Sequence, residues 1–255
     1  MRFACLGSGS KGNAWLVQAA GATVMLDCGF SLRETVRRLD RLGQPPEAID
    51  AVLLTHEHSD HMRGVAAFSR HYGVEVRLTH GCLAMLSAMG ELPARAVVID
   101  SHADFALGGL RIRSYTVPHD AREPVQYVVS EGVRRFGLLT DAGHVTGHME
   151  EMLHGCQALA VECNHDTDML MRGRYPAALK RRILGRYGHL DNGAAADLLA
   201  RVRHPDLQHV VAAHLSEENN TPELACASLA AALDSSADRI DVAGQESGLE
   251  WREIV

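Results

Sequence analysis

The sequence predicts an α/β domain in which two β-sheets pack together and carry helices on their outer faces. Two observations point to this class. Short apolar runs bounded by Gly, Pro and Asp alternate with segments of helical period along nearly the whole chain. The two halves also repeat a similar order of elements, as a duplicated two-sheet sandwich would. No Pro/Gly/Ser-rich linker divides the 255 residues, so one domain over residues 1–255 is expected.

In order, Arg2–Leu6, Trp15–Ala19 and Thr23–Asp27 are apolar runs and read as strands. Leu32, Val36, Leu39 and Leu42 recur at helical spacing behind Ser31, a capping residue type, so a helix is expected over Leu32–Leu42. Strand Ala51–Thr55 leads to helix Met62–Tyr72, strand Val74–Thr79 to helix Cys82–Met89, and strand Ala96–Asp100 follows. Leu110–Val117, Val125–Ser130 and Phe136–Thr140 read as consecutive strands. Alternation resumes with strand Ala158–Glu162, helices Ala177–Leu184 and Gly193–Val202, strand His209–Ala213 and helix Pro222–Leu233. Two short strands, Arg239–Ala243 and Leu249–Ile254, end the pattern.

Composition excludes several classes. The apolar content of 46% is that of a globular protein. No run approaches the ~20 apolar residues that span a bilayer, so no membrane partner is expected. The N-terminus enters a strand without a secretory h-region. The six cysteines contain no C-x-x-C pair. The expectation is a cytoplasmic protein with reduced, mostly buried thiols, Cys163 among them as a core residue. Net charge is −7, so the surface as a whole does not attract nucleic acid. One region departs from this. Between Arg172 and Leu190 the chain carries Arg172, Arg174, Lys180, Arg181, Arg182 and Arg186 and no acid. Such a run is either a solvated helix face or a phosphate-binding patch. Its place just ahead of a histidine motif favours the patch. Aromatic residues are few, which does not support a base-stacking platform.

The chemistry concentrates in Thr55-His56-Glu57-His58-Ser59-Asp60-His61. Three imidazoles and the Asp60 carboxylate suit divalent transition metals. His56 and His58 share a direction on an extended backbone, and Asp60 and His61 lie further on, a layout for two adjacent ions. A zincin helix is excluded, because the fifth position of the pattern begun by His56-Glu57 is Asp60. Alone, the run could be a polar loop. His119, Asp141 and His214 argue against that, since each is a ligand-type residue at the end of an apolar strand.

With Leu26-Asp27-Cys28-Gly29, these residues resemble the metallo-β-lactamase superfamily in identity and order. The resemblance implies a four-layer αββα sandwich holding two divalent metal ions, zinc in the first instance and manganese as the alternative. It implies that His56, His58 and His119 hold one ion, that Asp60, His61 and His214 hold the other, and that Asp141 bridges them. Asp27 would buttress the ligands, and a hydroxide shared by the ions would be the nucleophile, with Asp60 counted among the catalytic residues. Closer similarity is to the YycJ/WalJ-like branch, through Gly7–Asn13, Glu162-Cys163-Asn164-His165-Asp166, Tyr187-Gly188-His189-Leu190-Asp191-Asn192 and His214–Asn220. That branch implies a bacterial exonuclease acting on DNA, 5′ to 3′. His189 would then protonate the leaving group, which histidine suits near neutral pH. Asp191 stands where the branch usually has Ser, at a capping position that either residue fills. Asn164, His165, Asp166, Ser216 and Asn219 would line the pocket or support the ligands, and Arg181 and Arg182 would meet phosphates. The short spacings on either side of Asp141 leave no room for the tRNA-binding arm of tRNase Z or the extra domain of β-CASP RNases.

Three rivals stand beside this reading. A small-molecule phosphodiesterase acting on cyclic nucleotides or cyclic phosphates would show an enclosed pocket. A thioester or β-lactam hydrolase is disfavoured by Asp141 as bridge. A metal-stabilised protein without enzymatic activity is disfavoured by the complete ligand set with His189. The sequence is compatible with a homo-oligomer.

Overall fold

The computed structural model describes residues 1–255. The first half forms β1 (Arg2–Gly7), β2 (Ala14–Ala19), β3 (Ala22–Leu26), α1 (Leu32–Arg41), β4 (Ala51–Leu53), α2 (Ser59–Met62), α3 (Val65–Tyr72), β5 (Glu75–Leu78), α4 (His80–Met89) and β6 (Arg95–Val98). The second forms β7 (Asp104–Leu107), β8 (Leu110–Thr116), β9 (Val125–Glu131), β10 (Arg134–Leu139), α5 (Gly147–Leu153), β11 (Ala158–Glu162), α6 (Thr167–Arg172), α7 (Ala177–Ile183), α8 (Asn192–Val202), β12 (His209–Ala213), α9 (Pro222–Ala232), β13 (Ile240–Val242) and β14 (Leu249–Glu253).

Two seven-stranded sheets result, in the orders β14-β1-β2-β3-β4-β5-β6 and β13-β12-β11-β10-β9-β8-β7. Each sheet runs through three antiparallel pairings and then three parallel ones. The similarity of the halves seen in the sequence is thus a repeated topology. β14 completes it by crossing back to pair with β1 in the first sheet.

The strand sequences explain the layering. β3 and β11 are buried along their whole length, as continuous apolar strands are when both faces of a sheet are covered. Phe3, Trp15, Val24, Tyr127, Phe136 and Leu138 fill the space between the sheets. Leu39, Phe68 and Leu86 pack α1, α3 and α4 onto the outer face of the first sheet. Met149, Leu198 and Leu229 do the same for α5, α8 and α9 on the second. Each such buried side chain contributes about 1.5–3 kcal/mol relative to exposure. The architecture is the expected αββα sandwich. No helix is long and apolar enough to cross a membrane.

Differences from the sequence reading have local causes. The helix expected over Met62–Tyr72 is two helices, because the Gly64 N–H bonds to the Cys28 carbonyl at 2.8 Å instead of continuing α2. β7, α5 and α6 were not expected; each is short, and β7 is an edge strand with exposed Asp104 and Ala106. The expected caps are present. Ser31 Oγ accepts from the Glu34 N–H at 3.3 Å, and Asp191 Oδ1 from the Ala194 N–H at 2.9 Å. All six cysteines are free and buried, with Cys163 in the core beneath α8 and α9.

Candidate metal centre

The site is built where strands of both sheets end. After β4, Thr55 donates from its backbone N–H (2.8 Å) and its Oγ1 (3.0 Å) to Asp27 Oδ1. Asp27 Oδ2 lies 2.7 Å from His61 Nδ1. The buried Asp27 therefore sets the His61 ring so that Nε2 stands 2.9 Å from Asp141 Oδ2 and 3.4 Å from Asp60 Oδ2. Asp60 and His61 sit on the single turn of α2. Gly29 permits its approach, since a Cβ there would lie 1.7 Å from the Asp60 carbonyl oxygen. That oxygen accepts from the Asn13 N–H at 2.7 Å, so the Gly7–Asn13 loop clamps the turn.

The second sheet supplies His119 beyond β8, Asp141 after β10 and His214 after β12. Asp27, Asp141 and His214 have φ of 61°, 55° and 54°. Non-glycine residues rarely take this left-handed conformation, which costs on the order of 1–3 kcal/mol and clusters at functional sites. In each case the backbone turns sharply off a buried strand.

His58 Nδ1 lies 3.1 Å from both His56 Nε2 and His119 Nε2. Hydrogen bonding among these three nitrogens cannot satisfy all of them, whereas a cation can. Asp141 Oδ2 is buried, and its 2.9 Å contact with His61 Nε2 lacks hydrogen-bonding geometry, a second sign that a cation belongs here. Asp60, His61 and His214 form another group of converging donors, and His56, His61 and Asp141 link the two, with donor atoms of each group within 4.8 Å of one another. The seven residues named from the sequence are all in this cluster.

Sequence reasoning missed Glu162. This residue ends β11 fully buried, with Oε1 2.7 Å from His189 Nδ1 and 3.2 Å from His214 Nδ1. Its Oε2 accepts from the Ala142 and Leu190 N–H groups at 2.9 and 3.1 Å. The one signal in the sequence is a lone acid closing the otherwise apolar strand Ala158–Glu162. Glu162 orients His189, whose Nε2 has no protein partner and whose ring lines the cavity. The loop before His189 packs onto the site, with the Gly188 carbonyl 3.1 Å from His119 Nδ1. Gly143 allows this contact, because a Cβ there would stand 2.3 Å from the Arg186 carbonyl.

Other expected residues fall into two groups. Asn164 and Ser216 line the cavity, and Asn164 Nδ2 donates to the His214 carbonyl at 3.1 Å. Asn219 is buried beneath Ser216, its N–H 3.2 Å from the Ser216 Oγ. His165 is buried and does not line the cavity, while Asp166 caps α6 through the Met169 N–H. Among the cations, Arg182 lines the cavity and pairs with Asp120 at 2.7 Å. Arg172 and Arg174 pair with Asp168 and Glu218, and Arg181 is exposed outside the cavity. Glu57 faces neither solvent alone nor the cavity: its Oε1 accepts from the Arg122 N–H at 2.8 Å.

Burial disfavours charge on every group here. At His56 and His119 burial prevails and holds both imidazoles below their ordinary range, neutral and able to donate a lone pair. Burial would raise Asp141, but His214 and His61 outweigh it and hold the carboxylate well below its usual range. His189 likewise outweighs burial at Glu162, which falls to about 2. Burial pulls His214 down while Asp141, Asp60 and Glu162 push it up to about 10. Divalent ions would take the place of such protons, since metal binding needs neutral imidazole and ionised carboxylate. Donor set, orphaned oxygen and charge state all fit two divalent metals.

Comparison with known proteins agrees. The family model described as "Beta-lactamase superfamily domain" matches residues 22–215. The chain is 35% identical over 236 residues to exodeoxyribonuclease YycJ of Bacillus anthracis, covering 92% of this chain and 89% of the relative. It is 32% identical to exodeoxyribonuclease WalJ of Streptococcus pneumoniae, covering 88% and 85%. The solved structure of the metallo-beta-lactamase fold protein YhfI from Bacillus subtilis superposes with a TM-score of 0.77 over 99% of each chain, at 12% identity, which shows the shared fold. From matched family, relatives, fold and converging donors together, the chain belongs to the metallo-β-lactamase superfamily, in its YycJ/WalJ-like branch of metal-dependent hydrolases.

Proposed function

We propose that this chain is a two-metal phosphodiesterase that degrades DNA from an end, 5′ to 3′ as the relatives' resemblance implies. His56, His58 and His119 would hold one ion, Asp60, His61 and His214 the other, with Asp141 between them. Such ions acidify water and offset charge on phosphoryl oxygens. The observation that carries a phosphodiester reading is His189: its Nδ1 is held by Glu162, its Nε2 has no protein partner, and the residue lines the cavity. An alkoxide leaving group needs a proton, and Glu162 and Asp141 raise His189 against the pull of burial, keeping the proton on the ring. Asp27 and Glu162 act by orienting rings.

The test is hydrolysis of end-labelled duplex DNA, single-stranded DNA, RNA, closed circular DNA and a cyclic nucleotide by metal-loaded protein. Linear DNA should be shortened and circular DNA spared. Cleavage of circles, or of the cyclic nucleotide alone, would overturn the reading. A second reading, a small-molecule phosphodiesterase, is favoured by one feature: the cavity is only about 370 Å³, with Leu179, Arg182 and Ile183 of α7 in its lining.

The cation run should contribute unequally. Arg182→Ala should weaken oligonucleotide binding and lower the slope of log affinity against log salt by about 1, whereas Arg181→Ala should do less. Binding measured over a salt series on the His189→Ala background, so that substrate survives, checks this. Slopes unchanged from the His189→Ala parent in both variants would assign the run to solvent.

A further inference from the structure

α7 contains no buried residue, although it carries Leu179 and Ile183. Neither joins the hydrophobic clusters between or outside the sheets. Both instead line the cavity over the metal-binding cluster, one helical turn apart, and Tyr175 just ahead of the helix joins them. The rest of the lining is polar, charged or glycine. The apolar part of the lining therefore comes from a single segment, which also contributes Arg182, while His58, Asp60, Asp141, His189 and His214 line the same cavity.

The segment is fixed. Lys180 Nζ donates to the Met171 and Gly173 carbonyls, each at 2.7 Å, and Arg182 Nε to Asp120 Oδ2 at 2.7 Å. Burying apolar side chains against solvent-filled space gives a helix little stability of its own. A ligand with a phosphate on one side and a planar apolar ring on the other would cover this surface, and the cavity of about 370 Å³ holds one such unit.

We propose that Tyr175, Leu179 and Ile183 form a base-binding wall that receives the base of the terminal nucleotide while its phosphodiester lies at the metal-binding cluster. The proposal rests on the nucleotide substrate inferred above and adds how the end is held. Every base has a π-face, so stacking on Tyr175 accepts any of them, which suits degradation without sequence preference. Leu179 and Ile183 add apolar surface to the same cavity for the base to cover.

Binding of deoxyadenosine 5′-monophosphate and of 2-deoxyribose 5-phosphate to the purified full-length protein, followed by calorimetry, tests the wall without relying on turnover. The wild type should bind the nucleotide about 5- to 100-fold tighter than the sugar phosphate, the range that base–aromatic stacking spans. Tyr175→Ala should erase most of that ratio and leave sugar-phosphate affinity intact, and Tyr175→Phe should retain the ratio. Equal affinities in the wild type, or a full ratio persisting in both Tyr175→Ala and Leu179→Ala, would overturn the proposal. A base preference without DNA hydrolysis would overturn the nuclease reading and keep the wall. DNA hydrolysis without a base preference would remove only the wall.

Discussion

Asp141→Ala should strip at least one metal from the protein and lower hydrolysis by more than the about 10²-fold that loss of a supporting residue brings. Asp141 is close to both donor groups, with Oδ2 2.9 Å from His61 Nε2 and Oδ1 3.8 Å from His119 Nε2. Glu162 cannot substitute for it, because it is already engaged by two rings and two backbone N–H groups. The φ of 55° complicates the alanine variant, since alanine tolerates the left-handed region less well than Asp or Asn. Asp141→Asn keeps the backbone preference and removes only the charge, so it should fold normally and still lose metal. Metal content by elemental analysis, read beside circular dichroism, separates the two effects. Two intact metal equivalents in His58→Ala/Asp141→Ala would sink the assignment of these ligands.

His189→Ala should retain both metals and the fold, yet lose about 10²–10⁴-fold in rate, the usual range for general acid catalysis. The loss should shrink on a diester whose leaving group is already acidic, such as bis-(p-nitrophenyl) phosphate. The pH profile gives the sign. His189 must carry its proton to act, and its pKa is raised, so the wild-type rate should hold at neutral pH and fall as pH climbs through that value. His189→Ala should lack this alkaline limb. Glu162→Gln removes the charge that outweighs burial, so the limb should move to lower pH. Loss of a metal in His189→Ala would make the residue a ligand, and equal losses on both substrates would make it a positioning group.

Much of the site was legible because it obeys a simple rule: an apolar strand followed at once by a ligand-type residue. His56, Asp141 and His214 stand out this way, and the helical period exposes α1. Glu162 escaped because it is the last residue inside a strand, where an acid reads as an ordinary strand end. The roles within the cationic run were illegible for another reason. Arg181 and Arg182 are adjacent, and the ~100° that each residue turns about a helix sends one to solvent and the other to the cavity. The sequence shows their charge but not their rotation. Tyr175 was equally hidden, since a sparse aromatic content says nothing about where one ring is placed.

The split of the donors between the sheets bears on how the molecule assembles. His56, His58, Asp60 and His61 lie within six consecutive residues, whereas His119, Asp141 and His214 come from strands of the other sheet. The unfolded chain thus carries a ready local chelator, but both complete donor groups exist only once the sheets have docked. An ion captured early would stabilise the unfolded chain as well as the native one and so favour folding less than its native affinity suggests. Full coordination of both ions then waits on the docking of the sheets, and the free-ion level while the chain folds sets how much ion the local run captures beforehand.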